Sequence, residues 1–123
     1  MFSPGDVIGF DSDIAGKHKY HLCIHQDGLF LFINSPKPKS YPGDFEIKSV
    51  EIACLPATPE GHSIISCTHL TKQTDADLKK LKAKKYGVVD NKALIRLIAF
   101  VEKTPILSDE EKDAIIEGLA DWT

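Results

Sequence analysis

The chain has 123 residues, enough for one domain with a real core, and its composition is that of an ordinary globular protein. No apolar run approaches the roughly 20 residues needed to span a bilayer, so no membrane partner is expected. Its net charge of −3 does not announce a nucleic-acid binder, so local patches must carry any such function.

Met1-Phe-Ser-Pro-Gly-Asp6 turns polar at once and lacks the apolar segment of a signal peptide, so a cytoplasmic protein is expected. Cys23, Cys54 and Cys67 are odd in number and widely spaced, which suits reduced core thiols better than a disulfide framework. Val7-Ile-Gly-Phe10 reads as a short strand after a Ser-Pro-Gly-Asp turn. Asp11 to Gly16 reads as a polar loop. In Lys17-His-Lys-Tyr-His-Leu-Cys-Ile24, strand alternation puts His18, Tyr20, Leu22 and Ile24 on one face, expected to meet the core. Lys19, His21, Cys23 and His25 take the other. After a Gln-Asp-Gly turn, Leu29-Phe-Leu-Phe-Ile33 is apolar throughout and reads as a strand buried on both faces.

The loop from Asn34 to Asp44 holds three prolines and a glycine, and Lys37 and Lys39 make it basic. Phe45-Glu-Ile-Lys48 alternates like a half-buried strand, and a further strand is expected over Val50 to Leu55. Another is expected over Ser63 to Thr68, after the turn Pro56 to Gly61. Leu78 and Leu81, among the charges of 75–85, suggest one or two helical turns ended by Gly87. Asp90 is placed to cap a helix over 91–102 whose stripe is Leu94, Leu97, Ile98 and Val101. Ser108-Asp-Glu-Glu111 is a capping box opening a last helix that carries Ile115, Ile116 and Leu119. Strands first and helices later predict a single α+β domain, with the strands forming a small barrel or sandwich.

Pro4-Gly-Asp-Val-Ile-Gly-Phe-Asp11, followed by a polar loop and a basic residue leading into an apolar strand, resembles the opening of the PemK/MazF-like toxins of toxin–antitoxin systems. Phe45-Glu-Ile47, Ser63 to Asp75 and Leu107 to Lys112 resemble later family segments in the same order. The resemblance covers nearly the whole chain through short, loose motifs. It implies an SH3-like (PemK/CcdB-like) antiparallel β-barrel with C-terminal helices and a homodimer. It also implies metal-independent cleavage of single-stranded RNA, an antitoxin partner and no cofactor.

Carried over residue by residue, Lys19 stands near the family's arginine at the start of the second strand, with Tyr20 where a proline is usual. Ser35 follows the central strand where relatives carry Ser or Thr. Lys72 and Asp75 stand roughly where an arginine and an acidic residue are found, at altered spacing. Lysine can hold a phosphate as a point charge but lacks the bidentate guanidinium fork. The chain's one arginine, Arg96, falls in a predicted helix.

RNA cleavage without metal needs a base for the 2′-OH, an acid for the 5′-oxygen and a cation for the developing charge. His18, His21, Asp11, Asp75, Lys17 and Lys19 can supply these, or else form a solvated strand start. Lys17, Lys37, Lys39, Lys79 and Lys80 are the candidate RNA-binding cations, the last two within a run completed by Lys82, Lys84 and Lys85 that is alternatively a solubilising helix face. Tyr41 and Tyr86 could stack bases or simply serve turns. His21, Cys23 and His25 share a strand face, but without a second tight ligand pair no metal site is expected. Three readings remain: an endoribonuclease toxin, a non-catalytic module of the same fold binding nucleic acid or protein, and an adaptor with no nucleic-acid role.

Overall fold

A computed structural model describes residues 2–12 and 16–123. Asp13 to Ala15, the middle of the expected polar loop, lie outside the described residues. Among those described, six strands form one antiparallel sheet: β1 (Asp6–Ser12), β2 (Lys17–His25), β3 (Leu29–Asn34), β4 (Asp44–Lys48), β5 (His62–Lys72) and β6 (Lys84–Val88). Helix α1 (Asp75–Lys80) precedes β6, and α2 (Asn91–Lys103) and α3 (Asp109–Ala120) follow it. The order across the sheet is β4-β5-β3-β2-β1-β6. The protein is therefore α+β with its two longer helices C-terminal. The expected barrel is not closed, because β4 and β6 remain as edges of the sheet.

Both faces of the central strands are covered, as the unbroken apolar run of β3 requires. On one face Val7, Leu22, Ile24, Leu31, Ile33 and Ile65 pack with Leu94, Leu97 and Val101 of α2 and Ile115 and Leu119 of α3. Each such side chain contributes about 1.5–3 kcal/mol by leaving water. The other face carries a smaller cluster of Ile8, Phe10, Cys23 and Phe30, capped by Leu78 of α1. The alternation in β2 thus places Leu22 and Ile24 in the main core, as expected. His21 and Cys23 on the opposite face are equally buried, not solvated. All three cysteines are free thiols, and burial pushes Cys23 and Cys67 up to about 12.

Helix α3 opens with the expected capping box: Ser108 Oγ accepts from Glu111 N at 3.2 Å and Glu111 Oε1 accepts from Ser108 N at 2.9 Å. It approaches β2 so closely that a Cβ at Gly118 would run into the Ile24 carbonyl, and only glycine fits there.

Two expectations are corrected. Val50 to Leu55 is not a strand: Ser49–Ile52 forms a 3-10 turn, held at one side by Glu51, whose carboxylate accepts from the Lys48 amide at 3.0 Å. The helical turn after Asp75 does not run to Gly87 either. It stops at Lys80, Lys82 takes φ 56°, and 84–88 becomes edge strand β6. The buried Asp6 carboxylate draws β6 onto β1 by meeting Lys85 Nζ at 3.2 Å.

Candidate functional site

Strand β2 begins with the chain's densest run of basic and imidazole groups, and β3 ends beside it. Antiparallel pairing puts Tyr20 opposite Ile33, and one residue further out the side chains of Lys19 and Asn34 bond to each other. Of the residues singled out from sequence, Lys17, His18, Lys19, Ser35, Lys37 and Lys39 therefore collect at one end of the sheet. Lys72 does not: it sits opposite Leu29, at the other end of β3, with Asp75 opening α1 beyond it. The two ends of β3 are roughly 16 Å apart at about 3.3 Å per residue. Lys79 and Lys80 are exposed on α1 at that far end. The two segments that the family resemblance pairs are thus separate in this chain.

At the near end, strand alternation divides the groups between the faces of the sheet. On the face that α1 covers further along, Lys19 Nζ bonds Asn34 Oδ1 and lies 5.8 Å from the Phe32 ring centroid. Asn34 Nδ2 in turn donates to Ser66 Oγ at 2.7 Å. Burial, then the neighbouring charges of Lys17 and Lys37, hold the Lys19 ammonium below its ordinary pKa. Three amines share this corner, and among the described residues only Lys37 has a carboxylate near, the buried Asp44 at 3.7 Å. A bound anion would relieve their mutual repulsion.

The helix-side face carries an aromatic group. His18 Nδ1 lies 3.4 Å from Asp11 Oδ1, both side chains being open to solvent. Tyr20 meets His18 and Tyr86 edge to face, with centroids 5.8 and 5.2 Å away. Lys84 Nζ sits 5.5 Å from the centre of the Tyr86 ring. Gly9 makes this gathering fit: a Cβ there would stand 2.6 Å from Tyr86 Cε2 and 2.8 Å from His18 Nε2. Beside Tyr20 a cleft of about 310 Å³ opens, walled by Ile33, Ser35, Leu55, Pro59 and Ser63.

His21 departs from its expected role at the reacting centre. It is fully buried, stacked on Phe10 and set against Phe30 and Phe32, with no hydrogen bond on either ring nitrogen among the described residues. Burial drops its pKa to about 4, so the neutral ring is the core species at neutral pH. Arg96 is likewise committed elsewhere, its guanidinium forked onto Glu51 at 2.5 and 2.9 Å.

Tyr20 is a site residue that strand alternation alone assigns to the core. The charges of 75–85 suggest a helix there, and this hides that β6 brings Lys84 and Tyr86 to the same face as Tyr20. The aromatic and β-branched run Tyr86-Gly-Val-Val89 was the available strand signal. Ser63 and the loop 55–59 left no such trace.

A larger cleft of about 530 Å³ lies between β6 and the start of α2, near Val88, Leu94 and Trp122. Its Asp6–Lys85 pair is neutralised internally, so the smaller cleft near Lys19 and His18, neither of them held by a buried carboxylate among the described residues, is the better chemical site. Comparison of the chain with protein-family models, with curated proteins and with solved structures finds no match.

Proposed function

We propose that this chain is a toxin-like endoribonuclease of the PemK/MazF-like kind, cleaving single-stranded RNA without a metal at the β2–β3 end of its sheet. The observation that carries the reading is the exposed His18–Asp11 pair, set beside two tyrosines and next to a corner of lysines. Asp11 orients the imidazole and stabilises it when protonated. His18 then takes the 2′-OH proton as the 2′-oxygen bonds to phosphorus, the bond to the 5′-oxygen breaks, and the imidazolium returns the proton to that leaving oxygen. Lys84 on the same face, and Lys17 and Lys19 around the strand, stabilise the phosphate charge. An SH3-like barrel opened between β4 and β6, a homodimer and a small antitoxin partner belong to the same proposal.

A second reading, binding of nucleic acid or a protein partner without cleavage, is favoured by one specific feature. His18 and Lys19 point to opposite faces of β2, and Lys72 and Asp75 stand at the far end of the sheet. Incubating the purified chain with single-stranded RNA in EDTA separates the two. Cleavage that falls with His18→Gln and Lys19→Ala supports the enzyme, whereas RNA left intact but bound in a salt-dependent way selects the module.

A further inference from the structure

We propose that the cleft beside Tyr20 is a nucleobase pocket, holding one unstacked base of the RNA chain next to His18; this deepens the functional reading above and rests on it. Its volume of about 310 Å³ is at the small end for ligand sites, which suits one nucleoside and not a folded epitope. Tyr20 supplies an aromatic wall, and Ile33, Leu55 and Pro59 supply apolar contact. Aromatic walls hold bases of any sequence by their π-faces, and a polar group at the edge then selects among them. Ser63 is that group: it is largely buried and lines the cleft. Asn34 is not, because its side-chain amide is already engaged by Lys19 and Ser66.

Charge decides the occupant. An apolar cleft alone would suit a proline or leucine side chain equally well. Here Lys19, bonded to the cleft residue Asn34, sets a cation at the rim of the cleft. That places a positive charge beside a bound base, where a flanking phosphate of a single strand would run. A neutral or basic peptide gains nothing from it.

The test uses the intact chain and the four ribonucleosides, which carry no phosphate and so read the cleft apart from the lysines. Titration followed by amide NMR is expected to move Ser35, Ala57, Thr58 and Ser63 with millimolar affinity, for one base several-fold more tightly than for the others. Ser63→Leu, which fills the cleft, and Tyr20→Leu, which removes the aromatic wall, should each weaken this binding at least tenfold. Their dispersed spectra report that the fold is kept. If no nucleoside moves those amides, or if both folded variants bind as the parent does, the pocket is overturned. Movement by a short apolar peptide but by no nucleoside overturns it too, and assigns the cleft to a protein partner. Nucleosides bound while RNA stays intact would remove the cleavage reading and keep the pocket. RNA cleaved with the cleft indifferent to every nucleoside would do the reverse.

Discussion

The imidazole of His21 lies flat on the ring of Phe10, with centroids 3.8 Å apart and planes 5° from parallel. A histidine held this way serves as an aromatic core residue. Burial lowers its pKa from 6.5 to about 4, helped by the charges of Lys19 and His18; backbone groups of Lys19 and Ile8 oppose the drop without forming a sound hydrogen bond.

The sign of the pH dependence follows. Between pH 6.5 and about 4 the unfolded chain binds the His21 proton and the folded chain does not. The stability contributed by the neutral ring is complete above pH 6.5 and lost as pH falls toward 4, by about 3 kcal/mol at the limit. Urea unfolding of the parent and of His21→Phe at pH 7 and pH 4.5 checks this. The phenylalanine variant keeps the stack and should lose markedly less stability on acidification, and equal losses in the two proteins would refute the assignment.

Gly118→Ala should destabilise the protein by about 2 kcal/mol or more despite alanine's better helix propensity. The added Cβ meets the Ile24 backbone, which cannot swing aside as a side chain would. Thermal unfolding reads the effect; an unchanged or raised melting temperature would mean that α3 and β2 are less tightly apposed.

Gly9→Ala separates site from fold in the opposite way. The new methyl meets the far ends of Tyr86 and His18, which can rotate away, so stability should change by less than about 1 kcal/mol. RNA cleavage should fall at least several-fold, because His18 leaves Asp11 and Tyr86 leaves Tyr20. Activity equal to the parent's, with His18 displaced, would remove His18 from the mechanism.

Arg96 serves as a control for the family resemblance, in which arginines carry the chemistry. Its guanidinium holds the Glu51 carboxyl below the usual range and joins the 3-10 turn to α2. Arg96→Leu should leave RNA binding unaltered and cost about 1 kcal/mol of stability or more, because the largely covered Glu51 carboxylate loses its half-exposed partner. A loss of RNA affinity instead would place Arg96 at the site.

Lys17→Gln, Lys19→Gln and Lys37→Gln should each weaken RNA binding of every sequence alike. Each should also lower the steepness of log affinity against log salt by about one ion at most. The corresponding changes at Lys79 and Lys80, beyond the far end of β3, should have smaller effects; affinity that depends on these two more strongly would move the RNA track to α1.

Periodicity and end signals carried most of the secondary structure. The apolar run of β3, the alternation at Phe45-Glu-Ile47, the stripe Leu94-Leu97-Val101 and the box Ser108–Glu111 are local interactions, legible in a few neighbouring residues. The sheet order was not legible in this way. Nothing near Lys84 records that Asp6, far away in sequence, will pair with Lys85 and pull this segment into a strand. Burial of His21 was equally hidden, because its solvated or core status depends on α1 and Leu78 closing over the second face.

The sequence by itself determined the class of fold and marked the run 17–25 as the place where basic and imidazole groups concentrate. Only the tertiary structure decided which of them can act together. Strand alternation sent His18 toward Tyr20 and Tyr86, and Lys19 toward Asn34 and Ser66. The pairing of β3 with β5 left Lys72 and Asp75 at the far end. Those outcomes rest on contacts between residues distant in the chain, whose free energy exists only once the sheet is assembled.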